Sequence, residues 1–268
     1  MFLKQLRVFI ANIFLRPKIS ILIPFYSDNK DRKKAFKWVK RYWKYELPHA
    51  EVIVGRDRKW WECKHTVFCK NKALNDAVSR SRGKVLVIMD ADAYIRGEYI
   101  NRCADRILEE LDNHLWYVPY NRLYRLNKEI TNCILASNPE CPVRIPSPPP
   151  NEWVENAGHS SKYGHRYGAM CMMFPREAYD TIGKFDERFK GWGGEDIALL
   201  RALDTLYGKH KITYNDILHL YHPFIGENYK TRKWEGQEKE GTNGWLANAY
   251  HKASRNPTAM RTLINKTI

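Results

Sequence analysis

Apolar and polar positions alternate along this chain in blocks that predict strand, helix, strand, helix, strand. Ile19 to Phe25 is a first apolar run, ended by Pro24 and a polar turn. Ala35, Phe36, Val39, Tyr42 and Trp43 then recur at helical spacing. Glu51 to Gly55 supplies a second short strand, and Ala73, Leu74, Ala77 and Val78 mark a helix broken by Gly83. A third strand, Val85 to Met89, runs straight into Asp90. This order predicts an α/β fold with a mostly parallel sheet flanked by helices.

Further on, Ile100, Cys103, Ile107 and Leu111 predict a helix, and Leu115 to Tyr120 a strand. Pro142 to Pro150 excludes regular structure, because proline lacks the amide donor and fixes φ. Met170 to Phe174 reads as a buried strand, Ile197 to Leu206 as a helix stopped by Gly208, and Ile212 to Leu220 as a final strand. A chain of 268 residues organised this way needs one core. The expected division is an amphipathic N-terminal segment over 1–17, a catalytic domain over 18–222, and a basic loop and helical tail over 223–268 packed on that domain.

Composition narrows the setting. A formal charge of +15 calls for polyanionic company, whether nucleic acid, an anionic membrane leaflet or phosphate-bearing substrates. The six cysteines are scattered, and Cys63, His65 and Cys69 match no compact zinc spacing, so a reducing, cytoplasmic setting is expected. Residues 1–15 are too short and too interrupted by charge to span a bilayer, which leaves peripheral membrane contact or a capping helix.

Three stretches carry chemistry. Asp90-Ala91-Asp92 stands where a buried strand emerges at its carboxyl end, the edge at which open α/β sheets bind ligands. Two carboxylates one residue apart can share a divalent cation, manganese or magnesium, with a diphosphate. Downstream, Trp192-Gly193-Gly194-Glu195-Asp196 combines glycines that bend tightly, an indole face for a sugar ring, and carboxylates at a helix start. There Asp196 or Glu195 could accept a proton from an attacking hydroxyl. The third stretch, His219-Leu220-Tyr221-His222-Pro223, ends the last strand with two imidazoles, either of which could complete a metal shell.

Together these stretches resemble the GT-A fold glycosyltransferases, a Rossmann-like architecture, in the branch of β-1,4-galactosyltransferases, polypeptide N-acetylgalactosaminyltransferases and their bacterial or phage relatives. The resemblance spans about Lys18 to Pro223. It implies that Asp90 and Asp92 hold metal and donor, Asp92 most directly, and that Trp192, Gly193, Gly194, Glu195 and Asp196 line the donor sugar and acceptor. The metal histidine maps to His219 or His222. The resemblance also implies that Pro24, Phe25, Tyr26 and Asp57 surround the nucleoside, which makes UDP the expected nucleotide. Gly55-Arg56-Asp57-Arg58 departs there from the commoner double-acidic ending. Lys70 and Lys72 could approach the diphosphate. The resemblance further implies, from the aspartate at position 196, an inverting reaction with Asp196 as base.

For the acceptor, the basic surface suits a glycan held near an anionic membrane. It also suits a hydroxylated DNA base, as in phage-type enzymes, with Arg56 to Trp61 and Lys230, Arg232 and Lys233 meeting phosphates and bases. A protein acceptor, or a noncatalytic sugar- or nucleic-acid-binding module, completes the set.

Overall fold

The computed structural model describes residues 17–27, 29–57, 68–157, 170–191, 193–223 and 241–265. The N-terminal segment, Arg58 to Trp61, Cys63, His65, Trp192 and the Lys230–Lys233 cluster lie outside the described residues.

The first half alternates as its pattern predicts. Strand β1 (Ile19–Pro24) leads to helix α1 (Lys30–Glu46), β2 (Glu51–Gly55), α2 (Lys70–Arg80) and β3 (Val85–Met89). Ile21, Leu22 and Ile23 are fully buried, and so is all of β3, as expected of parallel strands covered on both faces. Helix α1 buries Ala35, Trp38, Val39, Tyr42 and Trp43. Asn29 caps it, its side chain accepting from the amides of Asp31 at 2.9 Å and Arg32 at 3.0 Å. A Cβ at Gly55 would lie 2.0 Å from the Ala73 carbonyl oxygen, so glycine is what lets the end of β2 press on the backbone of α2.

Beyond β3 come β4 (Ala93–Tyr94), α3 (Gly97–Glu109), β5 (Tyr117–Val118), β6 (Arg122–Leu126), α4 (Lys128–Ala136) and β7 (Val154–Ala157). The chain continues through β8 (Cys171–Pro175), α5 (Arg176–Thr181), α6 (Glu195–Leu206), β9 (Lys211–Ile212) and β10 (Asp216–His219). Helices α7 (Asn243–Ala253) and α8 (Pro257–Asn265) follow and pack on α6 and on each other.

Two sheets result. The larger runs β2-β1-β3-β8-β5-β9; its β2-β1-β3 block is parallel, and β8 enters antiparallel to both β3 and β5. The smaller runs β4-β10-β6-β7, with β10 antiparallel to β4 and parallel to β6. The single strand expected over Ile212 to Leu220 is therefore two strands in two sheets. A polar turn divides them: the Asn215 side-chain amide donates to the Thr213 hydroxyl at 2.6 Å and to the Pro119 carbonyl at 3.2 Å. That break carries the chain from the large sheet to the small one, and it sets His219 opposite Ala93, beside Asp92.

Candidate functional site

The site forms where β3 ends. Asp90 and Asp92 lie in the turn between β3 and β4, tied from both sides. The Asp90 amide donates to the Met170 carbonyl at 2.9 Å, and the Leu220 amide donates to the Asp92 carbonyl at 2.8 Å. Beyond β10, the Tyr221 amide donates to the Thr131 hydroxyl on α4 at 2.9 Å, fixing the stretch between the two histidines.

Asp92 is the hub of the first cluster. Its carboxylate is nearly sealed from solvent and lies 3.5 Å from His219 Nε2 and 3.2 Å from His222 Nε2. One ligand atom from each of the three lies within 4.8 Å of the others. The arrangement thus brings together both histidines that the chain order left as alternatives. Arg32, in the first turn of α1, donates from Nη2 at 3.0 Å and from Nε at 3.3 Å to Asp92 Oδ2. Burial opposes ionisation of Asp92, but His219, the hydrogen bond with His222 and Arg32 outweigh it and hold the carboxyl below the usual carboxylate range. Burial lowers His219 to about 4 against the attraction of Asp92, so its imidazole is neutral at pH 7 and competent as a ligand. With His219 neutral, the Arg32 guanidinium remains as a permanent positive charge at Asp92.

Asp90 points elsewhere, to a second cluster centred on Lys70 in the first turn of α2. The Lys70 ammonium lies 3.0 Å from Asp90 Oδ1, 2.9 Å from Asp196 Oδ1 and 3.7 Å from Glu195 Oε1. Burial alone would discharge this lysine, but Asp196, Asp90 and Glu195 raise its pKa well above the ordinary value. For Asp196, burial drives the carboxyl up to about 7; Lys70 pulls it down, and the charges of Glu195 and Asp90 add to the rise. A buried carboxyl with a pKa near neutrality is suited to accept a proton from a hydroxyl. Buried Tyr120 lies within the field of Asp196, Asp90 and Lys70, and its phenol is pushed well above its usual range by burial first and by nearby negative charge second.

The segment ahead of α6 is stitched in place. The Gly191 amide donates to the Phe68 carbonyl at 2.9 Å, and the Cys69 thiol lies 3.2 Å from the Phe189 carbonyl. The Asn71 side chain donates to the Asp186 carbonyl at 2.8 Å. From α7, Asn243 accepts from the Lys190 amide at 3.1 Å and donates to the Lys190 carbonyl at 2.8 Å. These bonds dock the loop on the start of α2, which is why Lys70 and Asp196 meet. Glu195 Oε2 accepts from the Gly193 amide at 3.1 Å, closing the turn before the helix.

Gly191, Gly193 and Gly194 have φ of +70°, +102° and +89°, a region that side chains disfavour. A Cβ at Gly194 would also meet Ala247 Cβ at 3.2 Å and Phe189 Cε1 at 3.3 Å, whereas one at Gly241, φ +86°, would meet nothing within 4 Å. Gly194→Ala should therefore cost more than the ~1–2 kcal/mol of left-handed strain alone. In thermal unfolding its midpoint should fall further than that of Gly241→Ala; equal shifts would mean that the close contact is harmless.

The remaining expected residues are spread around this centre. Pro24 ends β1, Phe25 follows it and stacks on Phe36 at 3.9 Å between ring centroids, and Tyr26 is exposed at 6.3 Å from Phe68. Asp57 is buried, and its Oδ2 accepts from the Cys69 amide at 3.0 Å at the start of α2. Lys72 is exposed on α2, two residues beyond the lysine that reaches the carboxylates. Ala91 is buried between the two aspartates. Arg32 and Tyr120 were not legible as site residues, since neither belongs to a motif. Lys70 was expected beside the diphosphate, and the structure places it among the carboxylates of Asp90, Glu195 and Asp196.

Residues 154–223 match the family described as the N-terminal domain of galactosyltransferase. Over that stretch the chain is similar to the galactosyltransferase-like glycosyltransferases. The matched galactosyltransferase-like stretch contains Glu195, Asp196, His219 and His222; Lys70, Asp90 and Asp92 precede it. Chondroitin sulfate N-acetylgalactosaminyltransferase 2 of Homo sapiens is 30% identical over 159 residues, 58% of this chain and 26% of the relative. The protein of the same name from Mus musculus is 27% identical over the same shares. This chain thus spans about a quarter of the length of the curated relatives it matches. Among solved structures, GalNAc-T7 with UDP, GalNAc and Mn2+ aligns with a TM-score of 0.47 and 13% identity, over 87% of this chain and 48% of that one. The catalytic domain of Drosophila beta1,4galactosyltransferase 7 with xylobiose aligns with a TM-score of 0.38 and 12% identity, over 80% and 79%.

Proposed function

We propose that this protein is a metal-dependent glycosyltransferase that moves a hexose or N-acetylhexosamine from a UDP-sugar to a hydroxyl of a glycan, with inversion. The observation that carries the proposal is the adjacency of the two clusters. Asp92, His219 and His222 form a compact ligand set, and two residues before Asp92, Asp90 joins Lys70, Glu195 and Asp196 around a carboxyl poised near neutrality. The names of the curated relatives support an N-acetylhexosamine donor and a glycan acceptor.

Asp92, His219 and His222 are the residues that would hold the cation. A set with two imidazole nitrogens is softer than the all-oxygen sets that magnesium prefers, which favours manganese of the two. When bound, the ion supplies positive charge that offsets the charge growing on the departing diphosphate. Arg32, one hydrogen bond from Asp92, can turn to the same diphosphate oxygens. Asp196 takes the proton of the acceptor hydroxyl as that oxygen attacks the anomeric carbon. Lys70 keeps the Asp196 carboxylate oriented, and Glu195, through the Gly193 amide, holds the loop that presents it. Asp at position 196, a base rather than an amide, supports inversion. Asp57, Phe25 and Tyr26, at the ends of β2 and β1, would frame the nucleoside.

Among the described residues no helix is long and apolar enough to cross a membrane. The free thiols of Cys69, Cys103, Cys133, Cys141 and Cys171 suit a reducing compartment, and we place the protein in the cytoplasm on that ground.

The test is UDP release from UDP-glucose, UDP-galactose and their N-acetyl forms, with a glycan acceptor, with and without manganese. One donor should support manganese-dependent turnover; a noncatalytic binding module would release no UDP with any of them. Because Asp196 must be unprotonated to act and its pKa is raised to about 7, kcat/KM should fall as pH drops below about 7 and level off above it. A profile flat from pH 5 to 8 would exclude Asp196 as the base.

A further inference from the structure

Helix α1 carries a feature that catalysis does not use. At 100° per residue, Lys30, Lys33, Lys34, Lys37, Arg41 and Lys44 all fall within roughly 60° of one line along the helix. All six are exposed, and the stripe lies opposite the buried Ala35, Val39 and Tyr42. The acids of this helix, Asp31 and Glu46, lie off the stripe, and none of the six cations forms an ion pair among the described residues. Like charges three and four residues apart repel, so the stripe weakens its own helix. Helix α3 shows the alternative in the same molecule: its exposed face mixes Glu98, Arg102, Asp105 and Arg106, and Arg106 pairs with Glu110 at 2.8 Å. Solubility alone needs no uncompensated row of six.

We propose that the stripe on α1 is a docking surface for a linear acidic polysaccharide, the chain whose end receives the sugar; this rests on the glycosyltransferase reading above. The helix is about 25 Å long and starts after β1 at the strand-end edge of the sheet, the edge at which β3 delivers Asp90 and Asp92. Arg32 leaves its first turn on the side away from the stripe, toward Asp92, so a polyanion lying along the stripe runs to the edge that carries the candidate centre without touching Arg32. The face disfavours a membrane surface and a single-stranded nucleic acid, and a polysaccharide is favoured over a duplex because the acceptor in the proposed reaction is a glycan. The one exposed large hydrophobic residue of the face is Tyr45, at the far end, so it offers neither the apolar side chains that enter a membrane surface nor aromatic rings interleaved with the cations for stacking on bases.

The test compares the wild-type chain with the triple variant Lys33→Gln, Lys37→Gln, Arg41→Gln, in which glutamine keeps helix propensity and removes charge. The probe is a fluorescein-labelled polygalacturonate oligosaccharide, with duplex DNA and phosphatidylserine vesicles as competitors. Wild type should bind the oligosaccharide with an affinity that falls steeply with salt, and the variant about ten-fold or more weakly. Manganese-dependent UDP release into water should be equal in the two proteins. Equal binding by both, no binding by wild type, or displacement of the oligosaccharide by lower concentrations of DNA or vesicles would each overturn the proposal. Loss of UDP release in both proteins with binding and its charge dependence intact would count against the enzymatic reading, and leave the stripe as an acidic-glycan surface.

Discussion

Asp196→Asn should leave UDP and manganese bound with unchanged affinity while lowering turnover by about 10²–10⁴-fold, the usual worth of a positioned general base. The substitution preserves shape and a hydrogen-bonding oxygen for Lys70, which lies 2.9 Å away, and removes the group that accepts the proton. Glu195→Gln serves as the comparison. Its carboxylate is nearly buried, accepts from the Gly193 amide at 3.1 Å and lies farther from Lys70, at 3.7 Å. It should therefore act on loop position and reduce turnover less. If Glu195→Gln were the more damaged enzyme and Asp196→Asn retained near wild-type turnover, the roles of the two carboxylates would be reversed. The acid limb of the pH profile should vanish with Asp196 and survive in Glu195→Gln.

Much of the frame behind these expectations was legible from residue order. Strand β3 is an all-apolar run of five that stops at an aspartate, and burial on both faces requires such a run. The glycines before Glu195 announced a bend, and three of them adopt positive φ. The small sheet was another matter. Strand β4 has two residues, β10 has four, and their pairing spans more than a hundred positions of chain, so no periodicity marks either. The apolar character of Ile212 to Leu220 suggests continuity, yet hydrogen bonds made by one asparagine side chain split it. Because that split determines where His219 and His222 lie, the choice between them could not be read along the chain. Lys70 was named as a diphosphate contact, but its pairing with Asp90 and Asp196 was hidden for a related reason: a helix lysine reads as exposed unless the loop carrying Asp186 to Gly191 is known to cover the start of its helix.

Asp92→Asn should abolish tight manganese binding, lowering affinity by at least about 100-fold, more than the 10–100-fold typical of losing a group that only supports a ligand. Binding is measured on the donor-free protein by calorimetry or by the loss of the free manganese resonance, so the outcome does not depend on turnover. His219→Gln and His222→Gln should each weaken the ion too, since both imidazoles face Asp92, at 3.5 and 3.2 Å. A histidine variant with wild-type affinity would remove that residue from the ligand set. Arg32→Gln should act in the opposite sense. Its guanidinium occupies Asp92 Oδ2 at 3.0 Å and competes with any cation there, so its removal should tighten manganese binding alone. The same variant should bind UDP-sugar less well, because a charge suited to the diphosphate is gone. Weaker manganese binding in Arg32→Gln would show that the arginine supports the metal site instead of competing for it.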